Sequence, residues 1–130
     1  MPARCFHWMQ LTMSTVSYAL LSEQQAMIRE SARRVAQEVV APTAAQRDQA
    51  SQWPRAEIEA AAGAGFMGML IPEDYGGSGL SFVEYCLALE EFAAADGGFT
   101  TIMHVHNSCG LVLRAFGTEA QKRHYLPRLA

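Results

Sequence analysis

The sequence predicts an all-α domain, an antiparallel bundle of five or six helices. Three observations predict it. Every strong hydrophobic repeat follows the helical period, three separate capping boxes mark helix starts, and no run of apolar and polar alternation reads as a strand. The chain has 130 residues, half of them hydrophobic and 18% charged. That is room for one domain with a buried core and an ordinary globular composition.

The first helix opens at Ser22-Glu23-Gln24-Gln25, where the Ser22 hydroxyl and the Gln25 side chain can each satisfy an orphan backbone group. Ile28, Ala32, Val35 and Val39 then repeat at i, i+4, i+7 and i+11, which makes one apolar stripe. Pro42 has no amide proton to donate, so the helix should end or kink near Ala41, with a short polar helix over about 43–50. Pro54 suits the first position of the next helix, which should carry Ile58, Ala61 and Ala62 inward and stop at Gly63 or Gly65. The apolar run Phe66 to Ile71 leads into Pro72, and one proline with three glycines between Pro72 and Gly79 predicts a loop of unusual backbone angles. Ser81-Phe82-Val83-Glu84 is the second capping box, with Leu80 and Tyr85 placed as a hydrophobic staple. Phe82, Cys86, Leu89 and Ala93 fall on one side of its helix, which should stop at Asp96-Gly97-Gly98. The longest helix is expected over about 99–116, apolar around much of its circumference, with Gly117 at its end. Thr118-Glu119-Ala120-Gln121 opens a last helix reaching Leu126. Connections this short favour antiparallel packing of neighbours.

Composition excludes several function classes. A net charge of −3 argues against a nucleic-acid partner, and the one basic cluster, Lys122-Arg123-His124, reads as a solvated helix face. Cys5, Cys86 and Cys109 are odd in number and far apart, which fits a reducing, cytoplasmic setting and excludes a zinc knuckle. No apolar run approaches the ~20 residues of a membrane span. Residues 1–20 lack both the charge of a transit peptide and a signal core, and are expected to be a disordered extension or an overlong start, with 21–130 forming the domain.

The search for chemistry returns little. No Glu has His three residues on, and His104 and His106 point about 200° apart on a helix, so they cannot share a metal. Ser78 lacks the context of a nucleophile elbow, and Gly76-Gly77-Ser78-Gly79 lacks the spacing, lysine and strand of a phosphate cradle; both read as a turn.

Three segments, in order, resemble the acyl-CoA dehydrogenase family. Leu21 to Gln25 resembles its first-helix signature. Ile71-Pro72-Glu73-Asp74-Tyr75-Gly76-Gly77-Ser78-Gly79-Leu80 is similar to its inter-helix loop and is the most specific piece. Leu87 to Ala93, Val105 to Ser108 and Phe116 to Lys122 resemble the later helices of its short-chain branch. The match runs from about Leu21 to Ala130 and identifies the N-terminal helical domain. What the resemblance implies is an enzyme of three parts, in which a glutamate takes the α proton of an acyl-CoA while hydride passes from the β carbon to FAD. The glutamate and the main flavin-binding segments belong to the later parts, so the chain should stop short of them, carry no catalytic or metal residue, and bind no FAD tightly alone.

Aligning on Asn107-Ser108 places Thr101, Ile102, Val105 and Cys109 at the positions that line the acyl pocket. Ile102, Val105 and Cys109 share one helix face. The resemblance also implies acyl-CoA as substrate and an electron-transfer flavoprotein as partner. A long apolar helix beside helices striped on one side only predicts self-association. Three other readings stand beside this one: a non-catalytic helical interaction module, an inactive remnant, or a flavin monooxygenase or acyl-CoA oxidase on the same scaffold.

Overall fold

The structure, a computed structural model, describes residues 20–130. The expectation of a loose N-terminal extension falls on residues 1–19, outside the described residues. Among the described residues every regular element is helical: α1 Glu23–Val35, α2 Ala41–Ala50, α3 Arg55–Gly63, α4 Phe82–Ala95, α5 Gly97–Phe116 and α6 Glu119–Leu129. All three capping boxes form, at Ser22, Ser81 and Thr118.

Pro42 kinks the first helix without ending it. A π-helical segment, Ala36–Val40, joins α1 to α2, and Pro42 sits in the first turn of α2. The Ala41 amide bonds back to the Ala36 carbonyl, five residues away. The wider turn lets the chain pass the position where a proline would lose its own bond and press on a carbonyl. It also shifts the buried stripe: Ala32, Ala36 and Val40 are fully enclosed, while Ile28, Val35 and Val39 are half-buried.

Pro54 lies one position before α3 and not within it. The helix ends in a Schellman motif, with Gly65 at φ +84° and Phe66 and Gly65 amides donating to Ala61 and Ala62. Ala62 was expected inside and is exposed; Glu57 takes the inner position one turn before Ala61. From there Phe66 to Ile71 plugs the centre of the bundle, all six residues buried. The Pro72–Gly79 loop folds back on that plug through Ser78, Gly79 and Leu80 amides bonded to Gly68, Ile71 and Met69 carbonyls.

The stripe that falls on one side of α4 is not its buried face. Phe82, Cys86 and Ala93 are exposed and Leu89 is half-buried, whereas Tyr85, Ala88 and Phe92 face the core with Glu84 and Glu91. The two acids are buried because α1 answers them. Arg29 and Arg33 reach Glu91 at 2.7 and 2.8 Å, and Gln25 donates to Glu84 at 3.2 Å. Leu80 and Tyr85 both pack into the core, as the staple requires.

Asp96 alone separates α4 from α5; Gly97 and Gly98, expected as a stop, form the first turn of α5. α4 and α5 are antiparallel: Phe92 meets Phe99 and Tyr85 meets His104. α1 and α4, separated by α3 and the loop, run in the same direction, since Gln25 and Arg29 meet Glu84 and Glu91 in ascending order. The last helix runs three residues beyond Leu126, with Pro127 in its final turn. It is held by Leu126 in the core and by the Tyr75 hydroxyl donating to Glu119 at 3.2 Å.

Candidate functional site

α5 carries the candidate site, and polar contacts on its inner side fix its place. Asp96 caps the helix, accepting the Phe99 amide at 3.0 Å. Its second oxygen accepts Arg47 at 2.6 Å, and Arg47 also donates to Glu57 at 2.7 Å and to the Val40 carbonyl at 3.2 Å. Thr43 bonds both Arg47 and Glu57. One buried guanidinium thus joins α2, α3 and the start of α5. Burial alone would raise the Glu57 carboxyl, but the Thr43 hydroxyl, a backbone amide and Arg47 outweigh it and hold the group below its ordinary value. Asp96 is lowered in the same way: burial opposes, and the Phe99 amide and Arg47 prevail.

Further along, Asn107 is fully buried and donates to the Phe66 and Met103 carbonyls at 3.0 and 3.1 Å, pinning α5 to the central plug. Gly110 lets the helix close on Ile71, where a Cβ would stand 3.1 Å from the side chain. Arg114 donates to the Leu70 carbonyl at 3.3 Å.

The outer face is left apolar. Val105 is 53% exposed, Val112 58% and Phe116 85%. Val105, Cys109 and Val112 follow at i, i+4 and i+7, and with His104, Ser108 and Leu113 they line an open groove of about 440 Å³.

The four residues expected at the acyl pocket separate in space. Val105 and Cys109 share this groove. Ile102 lines a different depression of about 360 Å³, with Trp53, Arg47, Asp96 and Phe99. Thr101 is exposed, and its hydroxyl donates to the Gly97 carbonyl at 3.0 Å. Sequence reasoning missed Val112, although the spacing that selected Val105 and Cys109 reaches it one turn on. It missed His104 and Ser108 because their place depends on Tyr85, on another helix.

His104 Nδ1 and the Tyr85 hydroxyl are 2.7 Å apart. His106 lies on another side, its Nε2–H donating to the Leu129 carbonyl at 2.8 Å. Tyr85 is buried, which raises its phenol; the nearby Cys86 adds to this and the Ser108 hydroxyl opposes it. Among the described residues no group of three or more His, Cys, Asp or Glu could hold a metal, and no helix is long and apolar enough to cross a membrane. Ser78 donates to the Gly65 carbonyl as part of the turn, and Lys122 pairs with Glu119 on the surface. Four open depressions of about 310–440 Å³ lie on the described surface.

What these residues define is a helical domain with an open, largely apolar groove on α5. The chain belongs to the acyl-CoA dehydrogenase family: residues 22–130 match the model of the acyl-CoA dehydrogenase N-terminal domain. It is 37% identical over 109 residues to the mitochondrial isobutyryl-CoA dehydrogenase of Dictyostelium discoideum, covering 84% of this chain and 26% of the relative. The solved butyryl-CoA dehydrogenase of Megasphaera elsdenii superposes with a TM-score of 0.78 at 32% identity, over 84% of this chain and 30% of that one. A chain described with the electron transferring flavoprotein of Acidaminococcus fermentans and flavin-based electron bifurcation superposes at 0.80 with 40% identity, over 85% and 29%. The chain therefore spans less than a third of each.

Proposed function

We propose that this domain forms one wall of the acyl pocket of a flavin-dependent enzyme that introduces a double bond between the α and β carbons of an acyl-CoA. The observation that carries the reading is the groove on α5, where Val105 and Cys109 turn carbon surface outward in a family whose relatives act on acyl-CoA esters. FAD would supply the oxidant when bound. This chain's own part would be acyl contacts and the shape of the pocket wall. Ile102 and Thr101 belong to the same proposal as outlying contacts that would depend on what packs beside Trp53. We take the working partner to be an electron-transfer flavoprotein and the setting to be the cytoplasm, which suits the free thiols of Cys86 and Cys109. The exposed faces of α4 and α5 favour self-association of the chain by itself.

The test is a chimera in which residues 22–130 replace the matching region of the Megasphaera enzyme. It is expected to hold flavin and oxidise butyryl-CoA, and Val105→Phe and Cys109→Phe should raise KM more for longer acyl chains than for butyryl. The 130-residue chain purified from a flavin-replete host should show no stoichiometric yellow chromophore. An active chimera whose chain-length profile ignores both substitutions would overturn the reading.

A further inference from the structure

The groove on α5 is carbon along most of its length, and its hydrogen-bonding groups are confined to one edge. His104 and Ser108, one helical turn apart, form that edge, while Val105, Cys109, Val112 and Leu113 supply the rest. Behind the edge stands Tyr85 from α4, only 5% exposed. A buried phenol requires a partner, and this one has the His104 Nδ1 at 2.7 Å, with the Ser108 hydroxyl also bonding to it.

The direction of the bonds follows from what each group can give. Tyr85 has one proton, and an imidazole nitrogen is its best acceptor here. Ser108 can then donate to the phenolic oxygen. A neutral imidazole that accepts at Nδ1 carries its proton on Nε2. Nε2 has no hydrogen-bond partner among the described residues, and the His104 ring lies at the groove. Ser108, Tyr85 and His104 thus pass a donor through two helices to the groove's edge.

We propose that Tyr85, His104 and Ser108 form a specificity edge that favours an acyl chain bearing an oxygen substituent able to accept the His104 Nε2–H. The inference rests on the acyl-wall reading above and goes beyond it to the class of acyl group. An all-hydrocarbon chain filling the groove would strip water from Nε2–H and leave it unpaired, whereas a hydroxyl or carbonyl on the chain would pair with it. Sites of this kind discriminate against the analogue that lacks the polar atom. Tyr85 acts as a positioning residue, since it never reaches the groove and works through the tautomer it imposes.

The probes are butyryl-CoA and 3-hydroxybutyryl-CoA, titrated into the chimera of residues 22–130 with the Megasphaera enzyme, which supplies the rest of the pocket, and followed by calorimetry. The hydroxylated ester is expected to bind about fivefold more tightly, the size of one ordinary hydrogen bond. His104→Leu should abolish the preference, and Tyr85→Phe should reduce it while circular dichroism stays helical. Independently, long-range nitrogen–proton correlations of the imidazole should show His104 protonated on Nε2 in the wild type. Equal binding of the two esters, a preference that survives His104→Leu, or an Nδ1-protonated imidazole would each overturn the specificity edge and leave the acyl wall standing. If neither ester binds the chimera, the acyl wall falls and the edge with it.

Discussion

Replacing Arg47 by alanine tests the junction that sets the start of α5. Arg47 is 6% exposed, and its removal would leave Glu57 and Asp96 with no cation and little water. Deleting one partner of a buried ion pair costs about 3–5 kcal/mol, against a total of about 5–15 kcal/mol for a typical domain. With a urea dependence of about 2 kcal/mol per molar, the unfolding midpoint should fall by about 1.5–2.5 M. The effect should also depend on pH. In the wild type both carboxyls are held below their ordinary values of 4.5 and 3.8. Their stabilisation is complete above those values and is lost as pH falls through the lower, folded ones. In Arg47→Ala the guanidinium no longer lowers either group, so both rise from their wild-type positions, and the deficit is largest at neutral pH and shrinks in acid. The assay is urea unfolding followed by far-ultraviolet circular dichroism at several pH values. A loss below about 1 kcal/mol at pH 7, or a deficit that does not change with pH, would show that the charges are not buried as described.

Two further outcomes follow from the packing. Gly77→Ala should destabilise by about 1–3 kcal/mol and raise amide exchange at Gly79 and Leu80, because its Cβ would stand 2.1 Å from the Ile71 carbonyl oxygen, a backbone atom with no room to yield. Gly63→Ala, which meets nothing within 4 Å at the end of α3, is the control and should leave the thermal midpoint unchanged or raised. The chain should sediment above monomer mass and bind a hydrophobic dye, and Val112→Glu with Phe116→Glu should lower both signals without loss of helix; a dye-free monomer in the wild type would refute this.

The helices were legible in sequence because their starts are local chemistry. Each capping box needs only a Ser or Thr and a Glu or Gln three residues on, and all three form. Which way a helix faces was less legible where both sides are apolar. On α4 the stripe Phe82, Cys86, Leu89 and Ala93 is as periodic as Tyr85, Ala88 and Phe92, and α1 favours the second, since Arg29, Arg33 and Gln25 bond to Glu91 and Glu84 turned inward. The apolar stripes leave those two acids out, and they mark the buried side. Pro42 announced a perturbation but not its form, since a break and a π turn relieve the same missing amide. At the groove, Val105 and Cys109 were found by alignment on Asn107-Ser108, while His104 became visible only through its bond to Tyr85.

The same division explains how α5 can keep an open groove in a fixed shape. Its inner side is held by bonds with direction: Arg47 to the Asp96 cap, Asn107 to the Phe66 carbonyl and Arg114 to the Leu70 carbonyl. These set the rotation and height of the helix without help from the outer residues. Val105, Cys109, Val112 and Phe116 therefore contribute little to holding α5 in place and can change with whatever lies against them. A pre-shaped wall spares a ligand the cost of ordering it. Substitutions on the inner side should move the whole wall and lower stability together, whereas substitutions on the outer side should alter what the wall accepts at nearly constant stability. The position of the groove is then a property of the polar pins, and under the proposed acyl-wall role its selectivity would belong to the few side chains that line it.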